Sequence, residues 1–120
     1  MLQKVGGLDL AAMCGAYLAA AAFRIPALID GMISAAAALS AFRLHSGVKA
    51  ALLASHLPDE PAGKHLLAAL DLKPFISAGL RLGEGSGAIA ALPLLDLALA
   101  VYHSGHTFRH LGIPPYTPQQ

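Results

Sequence analysis

The chain has 120 residues, of which 56% are hydrophobic and 12% are charged, and its formal net charge is +1. Its lysines and arginines are scattered, which argues against the basic stripe of a nucleic-acid-binding protein, so we expect no nucleic acid partner. The longest uncharged run, Leu10–Phe23, has 14 residues. A membrane span needs roughly 20, so none is predicted. The hydrophobic excess instead predicts a surface that is buried against a missing part of the polypeptide or a second subunit.

The N-terminal sequence and the single cysteine both bear on the compartment. "MLQKVGGLDL" lacks the basic region, apolar core and cleavage site of a signal peptide. Cys14 is the one cysteine, so no internal disulfide can form, and this usage fits a reducing compartment. Because Cys14 lies within an apolar helical pattern, we interpret it as a small buried side chain. Together these features predict a cytoplasmic protein.

The N-terminal half alternates helical and strand-like segments. Gly6 and Gly7, with Asp9 close behind, predict the start of a helix over residues 8–23. Pro26 disfavours its continuation and opens a short apolar segment, 26–29, which we interpret as a buried strand. Residues 31–45 predict a second helix, with Gly47 as a stop signal. Residues 49–55 predict a second strand.

The C-terminal half contains more turn residues. A helix is predicted near 60–71 and ends before Pro74, while 75–82 is a short amphipathic segment of uncertain type. A glycine-rich turn at 83–87 leads into a last helix over 87–104, in which Pro93 predicts a kink or a local break. The proline-rich residues 112–120 predict an extended tail.

This order of elements predicts an α/β arrangement that is mainly helical, with two and at most three short parallel strands. The strand–helix–strand unit over 26–55 implies parallel pairing through a right-handed crossover. The carboxyl ends of both strands, at Asp30-Gly31 and Ser55-His56, then share the edge at which open α/β sheets bind ligands. A two-stranded sheet with so few helices also indicates part of a larger body.

The stretch "RLGEGSGA" offers the first chemical candidate. Glu84 lies between Gly83 and Gly85, whose flexible backbone allows close approach of a ligand. A positioned and partly desolvated carboxylate can act as a general base, and the N–H groups of Ser86 and Gly87 at the following helix start could meet an anion. The structural alternative is a capping turn in which Glu84 is solvated and Ser86 is the N-cap.

The other candidates are weaker. "IDG" at 29–31 is typical of nucleotide and phosphate sites, yet the same residues suit any β–α junction. "GG" at 6–7 lacks the full dinucleotide-binding fingerprint. His103, His106 and His110 have helical spacing, but Gly105 and Gly112 interrupt the helix, so no metal site is predicted.

Four short motifs, in order and at family-like spacing, carry a resemblance. They are "GGLD", "DG", "SHLPDEP" and "RLGEGSG", within the stretches "VGGLDLAAMCGAYLAAAAFRIPALIDGMISAAAAL" and "SHLPDEPAGKHLLAALDLKPFISAGLRLGEGSGAIAALPLL". The chain resembles the C-terminal third of the nicotinate-nucleotide–dimethylbenzimidazole phosphoribosyltransferase family over residues 5–112. The resemblance implies that 1–112 is the C-terminal part of a Rossmann-like, three-layer α/β domain, followed by a proline-rich tail, 113–120.

The resemblance also implies a reaction: the phosphoribosyl group of nicotinate mononucleotide passes to 5,6-dimethylbenzimidazole, giving α-ribazole 5′-phosphate and nicotinate for the lower ligand of cobalamin. It implies Glu84 as the general base, Leu82 as an apolar wall for the benzimidazole, no cofactor, and a homodimer or a missing N-terminal part as partner. Pro58 departs from a frequent serine of the family and argues against a phosphate contact in that turn. The positions expected to bind substrate are Gly6, Gly7, Asp30, Gly31, Ser55, His56, Leu82, Gly83, Gly85 and Ser86. Among them, the resemblance implies that Gly31, with Gly6 and Gly7 as further candidates, faces the phosphoribosyl group through backbone N–H groups.

Two other hypotheses remain open at this point. The chain could be a truncated, non-catalytic relative that serves as a binding or assembly module. It could also be a small helical domain that associates with itself, in which Glu84 only caps a helix.

Overall fold

The computed structural model describes residues 6–107 and 109–114, and its elements follow the apolar segments of the sequence. The predicted helices and both predicted strands are present, with boundaries that differ by a few residues. In chain order they are helix α1 (Leu8–Phe23), strand β1 (Ala27–Ile29), helix α2 (Met32–Leu44), a 3₁₀ helix (Ser46–Ala51), strand β2 (Leu52–Ala54), helix α3 (Pro61–Leu70) and helix α4 (Ser86–His103).

The two strands pair in parallel, as predicted from the strand–helix–strand order. Ala27 lies opposite Leu52 and Ile29 opposite Ala54. The segment after α3 adds one further parallel bridge, between His56 and Ile76. Residues 6–107 and 109–114 thus contain two strands plus one bridge in the place of a third strand, which confirms the predicted α/β class.

Two sequence predictions were wrong in detail. Residues 49–51 belong to the 3₁₀ helix, so β2 has only three residues. Alanine-rich sequence gives little β-propensity, and only the part that pairs with β1 is held extended. Helix α4 runs through Pro93 without the local break that was one of the two predicted alternatives, and the other, a kink, stays a prediction. Pro93 has no N–H to donate to the carbonyl of Ile89, four residues earlier. Because Ile89 is an exposed residue, water can donate to that carbonyl instead.

The core is built from small side chains. Four alanines of α2 have no solvent exposure, and this helix packs against α1, α3, β1 and the 3₁₀ helix. Ile29 and Leu70 supply the largest fully buried side chains. Cys14 is buried on α1, as predicted. Because alanine lets backbones approach closely, the residues from α1 to α3 form one tightly packed body around the short sheet.

Helix α4 projects from this body. The molecule measures 60 × 32 × 32 Å and has a radius of gyration of 17.1 Å, against about 14 Å for a compact domain of this length. Ser86–His103 is also long and apolar enough to cross a membrane by length and composition, although only 11% of it is buried. The longest uncharged run of the sequence did not indicate this segment, because Asp96 interrupts it. One such helix is weak evidence for a membrane span.

The structure describes the predicted C-terminal tail only as far as residue 114. Gly112 lies in a turn with a positive φ of 67°. Residues 115–120 of the predicted extended tail lie outside the described residues, and the boundary between 1–112 and 113–120 stays a prediction.

Candidate functional site

An open cavity of about 490 Å³ lies at the carboxyl edge of the sheet, between α2 and the loop before α4. Ligand sites of small molecules fall in the range of about 300–1,000 Å³. Seven of the positions expected from the sequence line this cavity: Asp30, Gly31, His56, Leu82, Gly83, Glu84 and Gly85. Residues that lie up to 55 positions apart in the chain are therefore brought together around one cleft.

The loop that carries Glu84 has an unusual backbone. Gly83, Glu84 and Gly85 have φ angles of 74°, 56° and 81°, so three successive residues are left-handed. Glycine adopts this conformation readily, whereas for a glutamate it is uncommon and costs energy. Strained residues persist where the surroundings determine their conformation, and they cluster at functional sites. Glu84 itself is exposed at the cavity wall, with its carboxylate free to meet a ligand.

Asp30 fixes this loop from the end of β1. Its carboxylate accepts hydrogen bonds from the backbone N–H of Gly85 at 3.1 Å and from that of Ala88 at 2.9 Å. Asp30 thereby caps α4 from a distant part of the chain and adds a negative charge at the positive end of the helix. Both oxygens are engaged by backbone, so the geometry indicates that Asp30 positions the Glu84 loop.

The expectation that free N–H groups of Ser86 would meet an anion is wrong for this structure. The Ser86 N–H donates to the Gly83 carbonyl at 3.0 Å, and its hydroxyl donates to the same carbonyl at 2.7 Å. The N-cap of α4 is Gly85, so the alternative assignment of Ser86 as the N-cap is wrong too. Ser86 closes the loop and does not line the cavity.

Gly31 opens α2 on the opposite side of the cleft. Its N–H donates to Ser34 Oγ at 3.0 Å, and the Ser34 hydroxyl donates back to the Gly31 carbonyl at 2.8 Å. The Gly31 N–H is therefore already engaged and is not free for a phosphoribosyl group. A side chain at Gly31 would meet nothing within 4 Å. The missing side chain leaves open space at the cavity wall.

Ser55 and His56 follow β2 and form a buried polar pair. Ser55 is 0% exposed and His56 is 3% exposed. The Ser55 hydroxyl donates to the Ile29 carbonyl at 2.6 Å and lies 3.0 Å from His56 Nδ1. Ser55 lies behind the cavity wall, so it supports the site from beneath, whereas His56 belongs to the wall.

Tyr17 of α1 is a further titratable group close to this region. Burial raises the pKa of Tyr17, the Ser34 hydroxyl opposes this shift, and the negative charge of Asp30 adds to it. The phenol therefore stays protonated across the neutral range. It is therefore a neutral, buried neighbour of Asp30. The backbone N–H groups of Gly85 and Ala88, and no charged phenolate, contact the Asp30 carboxylate.

The residues that line the cavity differ in part from those that the sequence predicted. Gly6 and Gly7, the latter the N-cap of α1, do not line the cavity in the described part of the molecule. Arg81 and Glu60 do, although sequence reasoning did not select them. Arg81 stands in the quoted "RLGEGSG" stretch, so its charge next to Glu84 was a signal that could have been used. The remaining unpredicted lining residues are apolar or small: Met13, Met32, Ile33 and Ser34.

The turn that contains Pro58 is packed rather than open. Pro58 is buried, and a Cβ on Gly63 would lie 2.7 Å from the Cβ of Pro58, so the proline ring fills the space that the glycine leaves. The absence of a phosphate contact in this turn stays a prediction.

The described residues hold no group of three or more His, Cys, Asp or Glu side chains arranged to bind a metal ion. His103, His106 and His110 are all exposed near the end of α4 and the following turns.

Comparison with known proteins gives a consistent result. Residues 1–113 match a family model described as phosphoribosyltransferase. The nicotinate-nucleotide–dimethylbenzimidazole phosphoribosyltransferase of Ruminiclostridium cellulolyticum is 45% identical over 98% of this chain and 34% of its own length. The protein of the same name from Bradyrhizobium diazoefficiens is 49% identical over 95% of this chain and 33% of its own length.

A solved structure with that name, from Thermus thermophilus, superposes with a TM-score of 0.86 at 39% identity, covering 96% of this chain and 34% of its own. The chain thus spans about a third of the length of these relatives. The resemblance found in the sequence motifs is confirmed, and so is the expectation of a Rossmann-like α/β fragment. The chain belongs to this phosphoribosyltransferase family.

Proposed function

We propose that this chain supplies the general base for transfer of the phosphoribosyl group from nicotinate mononucleotide to 5,6-dimethylbenzimidazole. The products are α-ribazole 5′-phosphate, for the lower ligand of cobalamin, and nicotinate. One observation carries the proposal: Glu84 stands at the wall of the cavity on a strained left-handed loop that Asp30 anchors. Membership of the family and the names of its relatives supply the substrates.

The proposed chemistry needs a base and a leaving group. The Glu84 carboxylate takes the N–H proton of the benzimidazole while a ring nitrogen forms a bond to C1′ of the ribose. The bond from C1′ to the nicotinate nitrogen breaks, and its electron pair leaves with nicotinate. Attack from the face opposite to nicotinate inverts C1′ and gives the α product. Glu84 is exposed to the cavity without any partner that would compete for its oxygens among the described residues.

The cavity walls support roles for the neighbouring positions. Leu82 is 75% exposed and lines the cleft, as suits an apolar wall that a flat benzimidazole ring would cover. Gly31, Gly83 and Gly85 leave room for close approach of the nucleotide, and His56 offers a polar group. In this proposal Asp30, Ser55 and Ser86 act through the backbone they hold. Contacts from Gly6 and Gly7 to the phosphoribosyl group stay a prediction.

The chain needs a partner to complete this site. The cavity is open on one side, α4 exposes a row of apolar side chains, and the relatives are about three times as long. We infer that the part corresponding to the N-terminal two thirds of the relatives, in the same or a separate polypeptide, covers α4, and that the complete protein is a cytoplasmic homodimer without a cofactor.

The test is a chimera in which this chain follows the N-terminal two thirds of the Thermus thermophilus relative. With nicotinate mononucleotide and dimethylbenzimidazole, the chimera should release nicotinate. Replacing Glu84 by Gln should lower kcat about 100- to 10,000-fold, because the general base is lost while the shape is kept. Full turnover in the Glu84→Gln chimera, with folding checked by thermal melting, removes Glu84 from the mechanism.

The exposure of α4 also favours a second candidate, an assembly module without turnover of its own. In that case the chain would form a stable complex with a full-length relative, and the folded chimera would bind its partner without releasing nicotinate. Native mass spectrometry of the complex, read beside the nicotinate assay, distinguishes the two.

A further inference from the structure

His56 occupies a position that the proposed proton transfer does not use. It lies two residues beyond the end of β2, bridges to Ile76, and is 3% exposed at the cavity wall. Its ring packs on Gly87 in the first turn of α4. A Cβ added to Gly87 would overlap the ring at Nδ1 and Cε1, so only glycine at that position leaves room for the imidazole.

The hydrogen bonds of Ser55 define the tautomer of this ring. A serine hydroxyl has a single proton, and the short contact of 2.6 Å shows that the Ile29 carbonyl receives it. The Ser55 oxygen can then only accept at its other short contact, which is His56 Nδ1 at 3.0 Å. The donor in that contact must be the N–H at Nδ1. In its neutral form the ring therefore keeps its lone pair at Nε2.

The remaining ring nitrogen reaches the cavity. Among the described residues, no buried side-chain nitrogen or oxygen lacks a hydrogen-bond partner. Within these residues His56 Nε2 has no hydrogen-bond partner, so the small exposed area of His56 includes Nε2, and the cavity is the open space that His56 lines. Packing on Gly87 and the bond to Ser55 leave the ring little freedom to turn away.

We propose that His56 positions the nucleotide substrate by accepting, at Nε2, a hydrogen bond from a hydroxyl of its ribose. The inference rests on the proposed function and adds the chemistry of this contact. An acceptor nitrogen suits a hydroxyl and is unfavourable for phosphate oxygens, which are also acceptors. The benzimidazole N–H is left to Glu84. His56 is thus a selective group for the sugar, separate from the base.

The tautomer can be tested on the chain alone. Long-range ¹H–¹⁵N NMR at a pH of about 8.5, where ordinary imidazoles are neutral, should give a protonated Nδ1 and an unprotonated Nε2 for His56. Ser55→Ala removes the acceptor and should return the ring to a mixture of both tautomers. A wild-type ring protonated at Nε2 overturns the inference.

The contact to the sugar can be tested by calorimetric binding of nicotinate mononucleotide to the chimera. His56→Asn keeps an amide near the Nδ1 position and loses the group at Nε2, so Kd should rise about tenfold. His56→Gln places an amide oxygen near the Nε2 position and should recover most of the affinity. Analogues that lack the 2′ or the 3′ hydroxyl identify the partner: the right one binds wild type and His56→Asn equally.

The binding outcomes separate this inference from the proposed function. Unchanged affinity in His56→Asn, or wild type that does not bind the nucleotide, overturns the role of His56. If His56→Asn weakens binding as expected and the wild-type chimera still releases no nicotinate, the inference holds and the transferase proposal fails.

Discussion

Helices α2 and α4 have similar apolar compositions and opposite burial. In α2 half of the apolar residues are alanines, and Ala35, Ala37, Ala38 and Ala41 are completely buried between neighbouring elements. In α4 only Gly87 and Ala91 are buried. Its larger apolar side chains face outward: Ile89, Leu92, Leu94, Leu97, Leu99, Val101 and Tyr102.

The difference shows which helix packs within the chain and which leaves its apolar surface uncovered. Small side chains let α2 satisfy its packing within the chain. The leucines of α4 expose more apolar surface than a helix of a complete protein normally leaves in water, which marks an interface. Glu84 lies at the junction of these two regions, on the loop that precedes α4. The proposed site is thus built where the body ends and the unpartnered helix begins.

Breaking that junction should have a large effect on turnover. Asp30→Ala removes both hydrogen bonds to the Gly85 and Ala88 amides and releases the loop. Because small misplacements of a reacting group are costly, kcat of the chimera should fall about 100-fold. In the isolated chain, hydrogen exchange at Gly85 and Ala88 should accelerate, while amides of α2 keep their protection.

The matched control is Asp30→Asn, which keeps one acceptor oxygen and should retain one of the two bonds. Its kcat and exchange rates should lie between those of wild type and Asp30→Ala. If both variants exchange like wild type at Gly85, the carboxylate does not hold the loop.

Substitutions in the two helices should change the stability of the isolated chain by different amounts. Ala38→Leu overfills a fully buried position of α2 and should destabilise the isolated chain by about 1–3 kcal/mol. Leu97→Ala on α4 removes a side chain that is 64% exposed and should change stability by less than about 0.5 kcal/mol. Urea unfolding measures both.

The same Leu97→Ala substitution should have a different effect in the chimera. If the N-terminal part covers α4, the leucine becomes buried, and its removal should then cost about 2–5 kcal/mol. An equal, small effect in the isolated chain and in the chimera would show that α4 stays uncovered and would contradict the proposed interface.

Much of the fold could be predicted because its signals are local. Helix α1 follows from an apolar run between Gly7 and Pro26, and β1 from the short apolar segment that comes next. The strand boundary at residue 52 could not be predicted, since alanine and leucine suit either structure and only pairing with β1 decides. Likewise, nothing near Pro93 indicates that water can bond the Ile89 carbonyl and so let α4 continue.

The site divides in the same way. Glu84 between two glycines is a local pattern, so its glycine-rich turn could be predicted from the sequence, while its role as general base stays a prediction. The capping of α4 by Asp30 joins residues 55 and 58 positions apart, and the packing of His56 on Gly87 also joins distant segments. Such long-range contacts leave no trace in spacing, so Asp30 was expected to touch substrate although its oxygens are held by backbone.

The smallest effect is expected from a surface ion pair between Lys49 and Asp71. Lys49 Nζ lies 2.6 Å from Asp71 Oδ2, and this hydrogen bond, with the lysine charge, lowers the pKa of Asp71 below its ordinary 3.8. A lowered carboxyl pKa stabilises the folded chain above about pH 3.8. That contribution is lost as the pH falls through the folded pKa. Because the pair is exposed, salt should screen it. NMR titration of the Asp71 carboxyl in wild type and in Lys49→Met checks this: the midpoint should rise toward 3.8 in the variant, and equal midpoints would show that the two side chains do not pair in solution.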